Sequence, residues 1–273
     1  MESGKVEGIK LIVTDLDGTL LRTDKTVSEY TASIFERCRD IGIKIAFATA
    51  RPVRAVTEWL NLPVVFDAAI YHNGAIAYMG DSKILHYGIS PKAASTIIFS
   101  ALEADSSAKL CVEINDRLYG NYDPSDIWPG IEITLTDFMD LPNAYADKIL
   151  LFHHLAVGAT MTMASKIELE AVAKCLTDDI YIEMSENTVG MIMNKEARKI
   201  NAVKEIAARF GVALGETAAF GDDYNDIEML RECGVGVAVA NAIDEVKSVA
   251  TYLCGDCDKD GVAKWLEENV IPA

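Results

Sequence analysis

Ile9-Lys10-Leu11-Ile12-Val13-Thr14-Asp15-Leu16-Asp17-Gly18-Thr19 runs from an apolar, β-branched stretch straight into two aspartates and a glycine. A short run of this kind, bounded by a glycine, reads as a buried strand of a parallel sheet. In open α/β sheets, ligands bind just beyond the carboxyl ends of such strands. Asp15 and Asp17 are therefore placed to project together into that crevice, and Gly18 lets the chain turn sharply behind them. Crowded carboxylates repel and are costly to desolvate unless a cation lies between them. Taken alone, an Asp-Gly pair signals only a turn or a cap, so its meaning depends on the rest of the chain.

Working outward, strand and helix patterns alternate. A helix near Ser28–Arg39 repeats Ile34, Phe35 and Cys38 at helical spacing, with Ser28 as N-cap and Gly42 as stop. Ile43–Ala48 is a second buried strand ending in Thr49-Ala50-Arg51, and a helix from about Pro52 to Leu60 follows. Ala68–Tyr71 is a third strand, closed by the turn signal His72-Asn73-Gly74. Repeated β-α-β units imply a parallel sheet with right-handed crossovers.

The pattern then changes. Pro91–Ala104 and Ser165–Leu176 read as helices, and Lys109–Ile114 and Asp147–Phe152 as strands, the latter continuing into His153-His154. Asp179–Ser185 and Val189–Met193 form a hairpin pattern across Glu186-Asn187. This is an α+β unit inserted into the first. The α/β pattern resumes with the helix Ala197–Phe210, the strand Thr217–Phe220, the helix Asn225–Cys233, the strand Val235–Val239 and a last helix from about Lys259 to Val270. The fold class expected is α/β, a Rossmann-like parallel-sheet core over residues 1–80 and 194–273 with an α+β cap over 81–193.

Composition narrows the function. With 273 residues, half of them hydrophobic, the chain suits about two domains with real cores. A formal net charge of −17 argues against nucleic acid and against an anionic membrane surface as partners. No apolar stretch is long enough to span a bilayer, and Met1–Gly8 lacks the apolar core of a signal peptide. Six scattered cysteines fit reduced, cytoplasmic usage, and Cys254-Gly-Asp-Cys257 has no second pair to make a zinc site. Asp256, Asp258 and Asp260 lack the spacing of a calcium loop and read as a cap cluster; Gly234-Val-Gly236 lacks the third glycine of a dinucleotide fingerprint.

Four points converge on one edge of the sheet: Asp15 and Asp17 after strand one, Thr49 after strand two, Lys195 and Lys199 around the start of the helix that follows the insertion, and Gly221-Asp222-Asp223-Tyr224-Asn225-Asp226 after the Thr217–Phe220 strand. Carboxylates for one hard cation, a hydroxyl donor and a positive charge are what phosphoryl transfer needs.

These residues resemble the four motifs of the haloacid dehalogenase superfamily, most closely its Cof-type phosphatases, which carry a large cap between the second and third motifs. Asp15-Leu-Asp17-Gly18-Thr19-Leu20 matches motif one, Ala48-Thr49-Ala50-Arg51 motif two, Lys199 the motif-three lysine, and Gly221-Asp222 with Asn225-Asp226 motif four. Asn241-Ala242 and Gly261-Val262-Ala263 are also similar to that family, so the likeness spans the chain. The chain departs from the pattern at Ile200, where a glycine is usual, and at Glu196. Lys195 and Lys199 therefore both stand as phosphate-binding residues, with the family's pattern favouring Lys199.

The resemblance implies a Mg²⁺-dependent hydrolase of small phosphate monoesters, sugar phosphates or similar metabolites, working through an aspartyl-phosphate. It implies Asp15 as nucleophile and Asp17 as the acid that protonates the leaving alcohol and then the base that activates water. Crowding by Asp15 and burial are expected to keep the neutral form of Asp17 accessible. Metal ligands implied are Asp15, the Asp17 backbone carbonyl and Asp222, with Asp226 and Asn225 orienting that shell and Asp226 touching the metal through water. Thr49, Lys199 and Asn225 are the implied substrate-binding residues. A phosphomutase of the same superfamily and a non-catalytic metabolite sensor are the alternatives; retention of both Asp15 and Asp17 speaks against the sensor, and the inserted unit against a receiver domain. Glu113, Tyr119, Tyr122, Trp128 and Glu183 are candidates for selectivity.

Overall fold

The computed structural model describes residues 6–152, 170–185 and 189–272, and the chain divides into two compact units, 1–85 with 198–273, and 86–197.

In the first unit β1 (Leu11–Thr14) is buried along its whole length, as its unbroken apolar run requires. It is followed by α1 (Glu29–Asp40), β2 (Lys44–Ala48), the short α2 (Val53–Thr57) and β3 (Ala68–Tyr71). Ser28 caps α1 by accepting from the Thr31 amide at 3.0 Å, and Ile34, Phe35 and Cys38 form its buried stripe. Two strands with no counterpart in the sequence reading, β4 (Ile76–Met79) and β5 (Ser82–His86), extend the sheet, β4 pairing antiparallel with β3. Because β5 joins this sheet, the division between the units falls at Leu85, beyond residue 80.

The second unit holds α3 (Pro91–Ala104), β6 (Lys109–Ile114), β7 (Arg117–Gly120), β8 (Ile133–Leu135), β9 (Lys148–Phe152), β10 (Ile180–Ser185) and β11 (Val189–Asn194), and residues 170–175 are helical. Its sheet runs β10-β11-β9-β6-β7-β8, antiparallel except for β7 beside β8. Strand alternation sorts its side chains between two faces. Leu110, Val112, Ile149, Leu151 and Ile192 pack with Ile97, Ile98 and Val172 on one face. Cys111, Leu118, Leu150 and Phe152 pack with Tyr122 and Trp128 on the other. Tyr119 belongs to the first group. His153-His154, residues 165–169 of the expected helix and the Glu186-Asn187 turn lie outside the described residues, as does the side chain of Glu183.

The first unit resumes with α4 (Lys199–Phe210), β12 (Thr217–Gly221), α5 (Ile227–Glu232), β13 (Val235–Ala238), α6 (Asp244–Val249), β14 (Tyr252–Leu253) and α7 (Gly261–Asn269). Gly211 ends α4 in the left-handed region, at φ +68°. The sheet order is β14-β13-β12-β1-β2-β3-β4-β5, with every pair from β14 to β3 parallel. The chain steps one way from β1 to β3 and the other way from β12 to β14. The strand order thus reverses between β1 and β12, the place where such sheets open a crevice at their carboxyl ends.

Candidate active site

Asp15 follows β1 directly, and its amide donates to Phe220 O at 2.9 Å, which ties it to the end of β12. Its side chain is 8 % exposed and meets a buried lysine: Lys199 Nζ lies 2.6 Å from Asp15 Oδ1 and 2.7 Å from Asp226 Oδ1. Lys199 opens α4 and is itself 1 % exposed. Ile200 beside it is buried in the core, so the residue that replaces the usual glycine does not turn Lys199 away. Lys195, the rival, is exposed and belongs to the other unit. The structure therefore brings Lys199 to the aspartates.

Asp226 is fully buried, and both its oxygens are engaged. Oδ1 accepts from Lys199, and Oδ2 from the amides of Asp222 and Asp223 at 3.0 and 3.2 Å. It shapes the loop and holds the lysine. Gly221 is fixed by the same contact, since a Cβ there would collide with the Asp226 side chain. Asp222 Oδ1 accepts from the Thr19 hydroxyl at 2.6 Å, across 203 residues of sequence. Gly18 sits at φ +77°, and a Cβ on it would lie 2.5 Å from Asp222 Oδ2. Only glycine meets both conditions. The Gly18 carbonyl accepts from Asn241 at 2.7 Å, which gives the Asn241-Ala242 segment a place at the site.

Asp15, Asp222 and Asp226 each offer a carboxylate oxygen within 4.8 Å of the others. Burial is the main force raising the Asp15 carboxyl well above its ordinary value; Lys199 opposes it, while Asp226 and Asp222 add to it. Burial likewise pushes Asp222 up to about 6, against the Thr19 hydrogen bond and with help from Asp226. Burial works against the charge on Lys199, but Asp15 and Asp226 outweigh it and hold the ammonium above its ordinary value. Two carboxylates poised to gain protons around an all-oxygen donor set are what a hard divalent cation would relieve, so these residues fit such an ion.

Asp17 is organised differently. Arg51 grips it with two bonds, Nε to Oδ2 at 2.6 Å and Nη2 to Oδ1 at 2.7 Å, and Lys25 Nζ reaches Oδ1 at 2.8 Å. Burial alone would raise this carboxyl, but the bonds and charges of Arg51 and Lys25 overcome it, and the group is held below the ordinary carboxylate value. This corrects the expectation that crowding by Asp15 keeps Asp17 near neutrality. Arg51 was visible as part of motif two, but its partner was not, and nothing in the sequence marks Lys25.

Thr49 follows β2, buried, with its amide on Ile70 O and its hydroxyl accepting from the Arg51 amide at 3.2 Å. Its carbonyl accepts from the amide of Asn73, a residue at φ +56°. Asn73 in turn accepts from Asn225 Nδ2 at 2.9 Å. The turn after β3 thus orients a motif-four residue, a role that its reading as a simple turn signal missed. Glu113 is buried on the strand face of Cys111, with Tyr122 and Trp128 packed on that side. Asp223 caps its own turn through the Tyr224 amide.

Comparison with known proteins bears on the family and the fold. The model of the haloacid dehalogenase-like hydrolases matches residues 12–266. The phosphatase YitU of Bacillus subtilis, named for 5-amino-6-(5-phospho-D-ribitylamino)uracil, is 27 % identical over 269 residues, 94 % of this chain and 96 % of YitU. An HMP-PP phosphatase of Cronobacter sakazakii is 27 % identical over 267 residues, 92 % of each chain. In fold, the chain is similar to the phosphatase BT1666 of Bacteroides thetaiotaomicron, with a TM-score of 0.82 and 23 % identity over 97 % of this chain and 96 % of that one. The sugar phosphatase BT4131, of subclass IIB, gives 0.78 and 24 % over 96 % and 100 %. The chain belongs to the haloacid dehalogenase-like hydrolases, as its four motifs implied, and phosphatase activity is the assignment that its named relatives support.

Proposed function

We propose that the protein hydrolyses phosphate monoesters of small metabolites, sugar phosphates among them, in two phosphoryl transfers through Asp15. The observation that carries this reading is the buried Lys199 bridging Asp15 and Asp226 at the carboxyl ends of β1 and β12. A lysine so placed steadies the nucleophile's charge and stands ready for the phosphoryl oxygens.

In the first transfer an Asp15 oxygen bonds to phosphorus. The bond from phosphorus to the leaving alcohol breaks, its electron pair passes to the alcohol oxygen, and Asp17 supplies the proton. In the second, water bonds to phosphorus while Asp17 accepts a proton from it. The bond to Asp15 then breaks, releasing inorganic phosphate and regenerating the carboxylate. The bonds and charges of Arg51 and Lys25 lower the Asp17 carboxyl and so favour its ionised form, the form that would accept water's proton; its acid role requires those contacts to loosen. Asp15, Asp222 and the backbone carbonyl of Asp17 would hold Mg²⁺, which draws charge from the phosphoryl oxygens. Asp226 would orient that shell and touch the ion through water. Thr49 and Asn225 would donate to the phosphoryl oxygens.

We assign the choice of leaving group to residues 86–197 and place the enzyme in the cytoplasm, consistent with its free cysteines. Among the described residues no helix is long and apolar enough to cross a membrane. The test is phosphate release from a panel of phosphorylated metabolites with Mg²⁺ present, run beside Asp15→Asn. Loss of a covalent catalyst's charge predicts at least a roughly thousandfold drop in turnover. A variant that turns over near the wild-type rate overturns the assignment.

A further inference from the structure

Three features of the first unit converge on Asp17: the Arg51 fork, Lys25, and the acidic run Asp256, Asp258 and Asp260. They belong together. Lys25 adopts φ +65°, a left-handed conformation that a lysine takes only when its surroundings impose it. The surroundings are the tight turn of residues 22–26, closed by Lys25 N to Arg22 O at 2.8 Å and Arg22 N to Thr26 O at 3.0 Å. Asp260 anchors that turn by accepting from Arg22 Nη2 at both of its carboxylate oxygens, at 2.9 and 2.8 Å. Asp258 anchors it again by accepting from the Thr23 amide and hydroxyl at 2.7 and 2.8 Å. Asp256 holds the anchor in shape through the Asp258 amide. The acidic run is thus a clamp that presents Lys25 to Asp17.

The result is two cations facing one carboxylate. Lys25 and Arg51 side chains are 50 % and 22 % exposed, and the Asp17 side chain is 35 % exposed, so this group opens to solvent, unlike the buried Lys199. Asp17 itself is met by two cations, with Asp15 also acting on Arg51. Asp17 must present an oxygen to the leaving group, so Arg51 and Lys25 lie on the leaving-group side of the scissile bond.

We propose that Lys25 and Arg51 form a subsite for a second anionic group, a phosphate or a carboxylate, carried by the leaving alcohol of the substrate. An arginine fork and an ammonium are the donors that such groups select. The subsite rests on the assignment of Asp15 and Asp17 made above. Substrates with this second anion take over the cations that hold Asp17 and leave its carboxyl able to reach the ester oxygen. Uncharged leaving groups offer no such exchange.

The test compares matched esters on the full-length protein with Mg²⁺: phenyl phosphate against 3-carboxyphenyl phosphate, and glucose 6-phosphate against glucose 1,6-bisphosphate. The first pair reads a carboxylate and the second a phosphate. The ratio of kcat/KM, anionic over uncharged, is expected to be about tenfold or more in at least one pair. It should fall toward one in Lys25→Gln and in Arg51→Lys, and shrink as NaCl rises from about 0.05 to about 0.5 M. Lys25 is exposed enough for its variant to fold, and each ratio is internal to one protein sample. Equal or reversed preference in the wild type, or a preference that both variants retain, overturns the subsite while leaving the phosphatase standing. Undiminished turnover by Asp15→Asn on the same esters instead overturns the reading on which the subsite rests.

Discussion

Removing the charge of Lys199 tests the site most directly. The ammonium is fully buried between Asp15 and Asp226, at 2.6 and 2.7 Å. At an effective dielectric constant of about 20, each such contact amounts to roughly 6 kcal/mol of attraction. Desolvation of the three charges offsets most of it, and the net cost of stranding buried partners is about 3–5 kcal/mol. Lys199→Met keeps the aliphatic stem and removes only the charge. Its apparent unfolding midpoint is expected to fall by about 6–20 °C, and turnover should collapse. The dependence on pH is the stronger check. Without the lysine, which opposes the rise, the stranded Asp15 carboxyl binds a proton more tightly in the folded than in the unfolded chain. The variant's stability should therefore decline as pH rises from about 5 to 8, at up to about 1.4 kcal/mol per pH unit for each proton retained. Denaturant unfolding of both proteins across that range measures the slope. Adding Asp226→Asn should restore part of the stability and none of the activity, because it removes one stranded charge without returning the cation. A Lys199→Met protein as stable and as active as the wild type at pH 8 would refute the reasoning.

Three further outcomes follow from neighbouring contacts. Chelation should abolish activity and Mg²⁺ restore it, and Asp222→Ala should raise the Mg²⁺ concentration for half-activity by at least about tenfold, read by titration. Gly18→Ala places a Cβ 2.5 Å from Asp222 Oδ2 at φ +77°; it should cost about 1–3 kcal/mol in chemical unfolding and also raise the Mg²⁺ requirement. Asp260→Ala removes the partner of Arg22, Ser28 and Thr31 and should cost about 2–4 kcal/mol near pH 7. Burial works against the Asp260 charge, but Ser28, Arg22 and Thr31 outweigh it and lower its carboxyl. Its contribution is therefore complete above about pH 4 and lost as pH falls through the lowered value, so acid unfolding of wild type and variant should converge there.

The core of the fold was legible because its strands are buried on both faces. Leu11–Thr14 and Thr217–Gly221 are buried along their whole length, and a parallel sheet was implied by repeated β-α-β units. The edge was not legible. β4 and β5 are short, and Ser82–His86 is partly exposed, so neither alternation nor an apolar run marks it. That omission moved the expected end of the first unit to residue 80. In the second unit the strands β6 and β9 were plain, whereas β8, three residues with two of them exposed, carries no periodic signal.

The site divides along the same physical line. Asp15, Thr49, Lys199 and Asp222 were legible as candidates because each stands at a strand end or helix start, and such positions are written locally in the sequence. What holds them there is not local. Thr19 reaches Asp222 across 203 residues, and Lys199 reaches Asp15 across 184. The ionisation of Asp17 was misread for this reason. Its sequence neighbour Asp15 predicts crowding, but the groups that touch it are Arg51, brought by the parallel pairing of β1 with β2, and Lys25, brought by a left-handed turn that no glycine announces. A carboxyl's charge is set by the donors at its oxygens and not by its place in a motif. That is why the same Asp-x-Asp signature can present one aspartate to a buried lysine and the other to two cations that reach solvent.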